Sequence, residues 1–130
     1  MMKVAIAAVC VLFVLAPLAA KADNFAGSWA VSGTLGDPVV ARVSPVCVFK
    51  QDGDEIHGSC KGPNGLGAAS GAVDGSKITF QWNHVATTSL GMTGTSTFKG
   101  VLGGDGFVRG TWITSGIPNA WGTFTMQRVK

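Results

Sequence analysis

From residue 27 onward, apolar and polar residues alternate over short stretches. In 77–84, Ile78, Phe80, Trp82 and His84 fall on one face and Lys77, Thr79, Gln81 and Asn83 on the other. A two-residue period is that of a half-buried β-strand. The same period places Trp29 with Val31, Cys47 with Phe49, Ile56 with Cys60, Phe98 with Leu102, Val108 with Trp112, and Phe124 with Met126. Turn sequences separate these runs: Leu35-Gly36-Asp37-Pro38, Asp52-Gly53, Gly62-Pro63-Asn64-Gly65, Asp74-Gly75, Gly103-Gly104-Asp105-Gly106 and Ser115-Gly116-Ile117-Pro118-Asn119. Strands are therefore predicted over 27–34, 45–51, 55–61, 67–74, 77–84, 94–102, 107–114 and 121–129. The stretch 39–43 is either an extra short strand or an extension of the second. Consecutive strands with one apolar row each and short connections close most simply into an all-β, eight-stranded antiparallel up-and-down barrel, which leaves no open sheet edge.

The first residues follow a different pattern. Met1-Met2-Lys3 is a short basic start, Val4 to Leu15 is an almost unbroken apolar run, and Ala20-Lys21-Ala22 fits a small-x-small cleavage site. This is the layout of a signal peptide spanning 1–22, with cuts after Ala19 or Ala20 as alternatives. The apolar run falls short of the roughly 20 residues a spanning helix needs. The expected mature domain is 23–130, periplasmic or secreted, with no membrane insertion once the leader is removed. Removing Lys3 and Lys21 leaves eight basic residues against seven acidic ones, and the formal net charge falls from +3 to +1. The eight are scattered singly, whereas binding to phosphate backbones needs several basic groups on one face. No nucleic acid partner is expected on this ground, and an anionic membrane surface is equally a poor candidate.

Cleavage also removes Cys10 and leaves Cys47 and Cys60. An even pair in an oxidising compartment reads as a disulfide. If Gly53-Asp54 is a two-residue loop, Asp52 pairs with Glu55, and counting outward brings Cys47 opposite Cys60. The pair would then face each other where strands approach most closely. A redox or metal role lacks both C-x-x-C spacing and further ligands.

Most acids (Asp37, Asp52, Asp54, Asp74 and Asp105) sit in the turns, where Asp bonds its own backbone. Asp52, Asp54 and Glu55 cluster, but without the spacing of a calcium loop. His57 faces Lys50 on the outer side of its hairpin. Gly94-Thr95-Ser96-Thr97-Phe98 comes nearest to a G-x-S-x-G nucleophile turn and fails at its last position. Gly104-Asp105-Gly106-Phe107-Val108-Arg109 fails as a dinucleotide loop, with no helix after it. No metal site, cofactor site or carboxylate pair is expected, and the chain reads as a non-enzyme.

Gly27-Ser28-Trp29 opens the first strand, and Arg128 ends the last on the face of Phe124 and Met126. A G-x-W followed by a basic residue from the last strand over the Trp ring resembles the lipocalin-like (calycin) barrels. The stretches 49–59, 71–80 and 122–128 are similar to a group of small exported bacterial lipocalin-like domains, largely uncharacterised. The resemblance implies that Gly27, Trp29 and Arg128 close one barrel end. Avidins, in the same fold group, hold their ligand with Trp and polar residues including a Tyr; this sequence has none. Periplasmic inhibitors of secreted metalloproteases act through an N-terminal trunk. Here Asp23-Asn24-Phe25-Ala26 precedes the first strand, a short reach at about 3.4 Å per residue.

An eight-stranded barrel is either just filled by side chains or holds one small ligand. Phe49, Phe80, Trp82, Phe98, Trp112 and Met126 are the candidate lining, with His84 at the rim. Gly58 and Gly71, on inward faces, are expected to leave space beside them. The leading expectation is a small apolar or amphipathic ligand in the barrel. The alternatives are a protein-binding envelope factor such as a periplasmic protease inhibitor, using the 35–46 segment and an outer strip of Val46 and Val48, and a filled structural barrel.

Overall fold

Alternating burial along every long strand builds one closed sheet. The computed structural model describes residues 22–36, 41–115 and 120–130, the side chain of Ala41 excepted. Residues 1–21 of the proposed leader 1–22, residues 37–40, and Gly116 to Asn119 lie outside the described residues. The strands are β1 (Gly27–Leu35), β2 (Ala41–Val43), β3 (Val46–Asp52), β4 (Glu55–Lys61), β5 (Gly65–Asp74), β6 (Lys77–Ala86), β7 (Gly94–Leu102), β8 (Val108–Thr114) and β9 (Trp121–Arg128). Each pairs antiparallel with its neighbours, and β1 pairs with β9 from Trp29↔Arg128 to Leu35↔Gly122, closing the barrel.

Nine strands occupy eight positions. Gly33 pairs with Val43 on β2 and Ala30 with Val46 on β3, in one continuous register along the same edge of β1. The break falls at Ser44-Pro45. Proline has no N–H to give to a ladder, although Pro45 still accepts from Val31 N–H at 2.9 Å. The 41–43 stretch therefore extends the second barrel strand.

The β3–β4 hairpin has the predicted register: Asp52↔Glu55, Lys50↔His57 and Cys47↔Cys60. Cys47 and Cys60 form a disulfide, with Cα atoms 4.0 Å apart. Such a bond fits an oxidising compartment. The cysteines are 13 residues apart, and a loop of this length carries a stabilisation of about 3 kcal/mol. The Cys47→Ala/Cys60→Ala double variant is therefore expected to unfold at lower urea, with a loss of about 3 kcal/mol and an unchanged denaturant slope.

The barrel has a plugged end and an open end. At the plugged end Trp29 is buried under Phe25, ring centroids 5.6 Å apart, and donates from Nε1 to Phe25 O at 2.9 Å. The Arg128 guanidinium lies over the Trp29 ring, 4.5 Å from its centroid, and Nη1 donates to Ala26 O at 2.7 Å. A guanidinium suits an indole face because the ring presents negative charge there. Gly27 has φ +115°, a conformation that disfavours L side chains. The 22–26 segment is strapped across this end: Asp23 N–H donates to Gly75 O at 2.9 Å, and Phe25 N–H to Gln51 Oε1 at 2.6 Å.

Every acidic residue described (Asp23, Asp52, Asp54, Glu55, Asp74 and Asp105) lies on this strap or on the turns of the plugged end. Arg109 bridges Asp105 at 2.7 Å on the surface. Its hydrogen bond first, and the Phe107 N–H second, lower the Asp105 carboxyl from 3.8 to about 2.

Candidate functional site

Above the plug the interior is solid. Phe80 stacks on Phe98 with centroids 4.7 Å apart, Phe49 meets Phe80 edge-on at 5.1 Å, and Phe124 meets Phe98 edge-on at 5.2 Å. Ile56, Val73, Ile78, Val108 and Met126 complete this layer, all buried. Aromatic pairs at these separations are well packed. Phe49, Phe80 and Met126, three of the expected ligand contacts, stand in this filled half, away from the lining of the open-end cavity.

Toward the open end the packing stops. A cavity of about 330 Å³ opens there, at the small end of the roughly 300–1,000 Å³ typical of ligand sites. Phe98 and Trp112 belong to its lining, as do Trp82, Leu35, Val43 and Pro45. The rim comes from the 62–65 turn and from Leu90, Gly91 and Met92, with Arg42 as the charged side chain of the lining. Asn64 braces the rim: its carbonyl accepts from Thr87 N–H at 2.9 Å, and its Oδ1 from the Thr88 hydroxyl at 2.9 Å. Trp82, His84, Phe98 and Trp112, the other four expected contacts, thus meet around one space.

Gly58 and Gly71 do not make room. A Cβ on Gly58 would lie 1.8 Å from Val48 O, and one on Gly71 2.0 Å from Thr79 O. Neighbouring backbone already occupies those volumes. These glycines permit close strand approach where the sheet coils, one of the established uses of glycine inside a strand. The cavity owes its existence to the shorter side chains at the mouth, Ser96 and Thr114, which follow Phe98 and Trp112 on the same inward faces.

Ser96 and Thr114 were missed by the sequence reading. The signal was present: the Phe98 row extended by two residues reaches Ser96, and the Trp112 row extended likewise reaches Thr114. They are cross-strand partners, Ser96↔Thr114, and Ser96 is also opposite Trp82. All three are buried, as is His84. His84 Nδ1 lies 2.6 Å from Met92 O and Nε2 lies 2.9 Å from Ser96 Oγ, while Ser96 Oγ hydrogen-bonds Thr114 Oγ1. His84 is thus bonded to the backbone and is also part of the cavity lining. The Trp82 indole Nε1 is buried without a hydrogen-bond partner among the described residues. Trp112 Nε1, by contrast, is shared between Thr34 O at 3.1 Å and Thr123 O at 3.2 Å across the closing seam.

A hydroxyl bonded to an imidazole that a third group orients is also the order of a nucleophile–base pair. Ser96, however, sits within a regular ladder between β6 and β8 and is engaged by Thr114 as well. It is not on the strained strand-to-helix turn that exposes a nucleophile. What this wall supplies is a small polar spot on an otherwise apolar cavity. Among the described residues no three His, Cys, Asp or Glu side chains group as a metal site, and no helix is long and apolar enough to cross a membrane.

The outer surface at the open end is apolar. Val46, Leu66, Val85, Ile113 and Trp121 all project outward from strand ends there, and Leu90 is 82% exposed. Val46 and Val48 border a shallow groove with Ser44, Ser59, Lys61 and Pro63. Comparison with known protein families and with curated proteins gives no match for this chain.

Proposed function

We propose that this protein is an exported, non-enzymatic binding barrel of the lipocalin-like type, holding a small apolar or amphipathic ligand at its open end. The cavity walled by Trp82, Phe98 and Trp112, with His84, Ser96 and Thr114 as a polar spot, carries this reading. An apolar concavity with a few convergent polar groups is the usual composition of a ligand site. The Gly27, Trp29 and Arg128 arrangement supports the lipocalin-like assignment, and the disulfide supports a periplasmic or secreted location.

Native mass spectrometry of protein purified from the exported fraction tests the reading. An adduct that organic extraction removes is expected, and loss of that adduct should shift tryptophan emission, because two tryptophans line the cavity. A bare mass combined with emission unmoved by added octanol or extracted lipid would overturn it.

The second reading is a protein-binding envelope factor such as a protease inhibitor. The groove beside Val46 and Val48, 42% and 49% exposed, favours it. Because the 22–26 segment is strapped to the barrel, such a factor would act through this outer face and not through an N-terminal trunk. A filled structural barrel draws its support from the packed lower half.

A further inference from the structure

The hydrogens of the polar spot can be assigned by elimination. Met92 O can only accept, so His84 Nδ1 carries the proton in the 2.6 Å contact. In the neutral ring Nε2 is then bare and must accept, so the Ser96 hydroxyl donates to it at 2.9 Å. A hydroxyl has one hydrogen, so the Thr114 hydroxyl supplies the hydrogen of the Ser96–Thr114 bond. All three donors are spent within the wall. Among the described residues nothing donates to the remaining lone pairs of Ser96 Oγ and Thr114 Oγ1. Independently, Trp82 Nε1 is a buried donor with no acceptor among the described residues, and Trp82 is the cross-strand partner of Ser96 on the same inward face.

We infer that the site selects ligands whose head group donates a hydrogen bond, an apolar alcohol above all. This rests on the ligand-binding reading of the same cavity. A hydroxyl head gives its hydrogen to the bare oxygens of Ser96 or Thr114, and its own oxygen can accept from an indole N–H. An ether or ester offers acceptors alone. A carboxylate sets its lone pairs against those of Ser96 and Thr114 and brings a full charge to a wall that holds no cation. Its available cation is Arg42, at the exposed rim. The tail rests on Trp82, level with Ser96, and on Phe98 and Trp112, one inward row deeper.

The test is a titration at pH 8 with three probes of equal length: octanol, heptyl methyl ether and octanoate. Tryptophan emission and isothermal calorimetry read the binding. Octanol is expected to bind about tenfold or more tightly than the ether, since the ether leaves the wall oxygens unpaired. Thr114→Val should reduce that preference, while Thr114→Ser, which keeps the hydroxyl, should retain it. Thermal melts confirm that each variant is folded, and the wild-type series decides the matter if one is not. Equal binding of octanol and ether would overturn the inference and leave the carrier reading standing. So would tightest binding by octanoate abolished in Arg42→Gln, which would place recognition at the rim. If none of the three binds, the carrier reading itself fails.

Discussion

Phe98→Ala is expected to destabilise the fold by about 3–5 kcal/mol, the range for removing a large aromatic side chain from a packed core. Phe98 is the shared element of the interior: Phe80 stacks on it, Phe124 meets it edge-on, and Trp112 stacks 6.1 Å away. A domain of this size has roughly 5–15 kcal/mol in total, so the loss is a large fraction of its stability. The same substitution has an opposite effect on the cavity. Phe98 separates the open upper space from the packed lower half, and truncating it joins new volume to that space. On the alcohol-binding proposal above, the variant should bind a longer alcohol than the parent, in proportion to the added depth. Urea unfolding checks the first effect, and the chain-length optimum in a series of alcohols checks the second. A loss below about 1 kcal/mol would mean that Phe98 is loosely packed, contrary to the ring separations above. Phe98→Leu should fall between parent and alanine in both measurements.

Gly122→Ala is expected to be as severe for a different reason. A Cβ at this position would lie 1.5 Å from Thr34 O and 3.0 Å from Trp112 Nε1. The first atom is backbone of the neighbouring strand and cannot swing away. The residue lies in the β1–β9 seam, opposite Leu35, where the barrel closes. Relief requires the strands to part, which also breaks the shared hydrogen bond of Trp112. The expected outcome is a barrel that melts at much lower temperature or stays open, with loss of near-ultraviolet circular dichroism and raised dye binding. Gly104→Ala is the control. A Cβ there meets nothing within 4 Å, and an exposed turn substitution of this type stays within about 0.5 kcal/mol. Equal melting temperatures for the two variants would show that the seam can yield.

The strand plan was readable because each strand buries one face and the turns carry Gly, Asp and Asn at the right places. His84 marked the mouth for the same reason: it continues the Ile78-Phe80-Trp82 row past the last large apolar residue. The disulfide followed from counting along a two-residue turn. The glycines misled, because a missing side chain looks like space in one dimension, whereas in a coiled barrel the adjacent backbone fills it. The boundary between filled and open interior was also hidden. Phe49 and Trp112 both face inward, and only the shear of the closed sheet puts one at the packed middle and the other beside the cavity. Ser96 and Thr114 have no motif around them, and their pairing depends on the β7–β8 register. The gathering of Asp52, Asp54, Asp74 and Asp105 at one end was hidden as well, because it follows only once strand reversal brings alternate turns together.

Both described ends of the chain leave the barrel on one side. The strap at Ala22 to Ala26 and the residues after Arg128 meet around the stacked Trp29, since Trp29 and Arg128 are directly opposed. The opening is a barrel's length away. A linker or immobilising tag joined at Lys130 would therefore hold the molecule by its base and present the mouth outward, so a surface-captured sample would keep its open end accessible to solution.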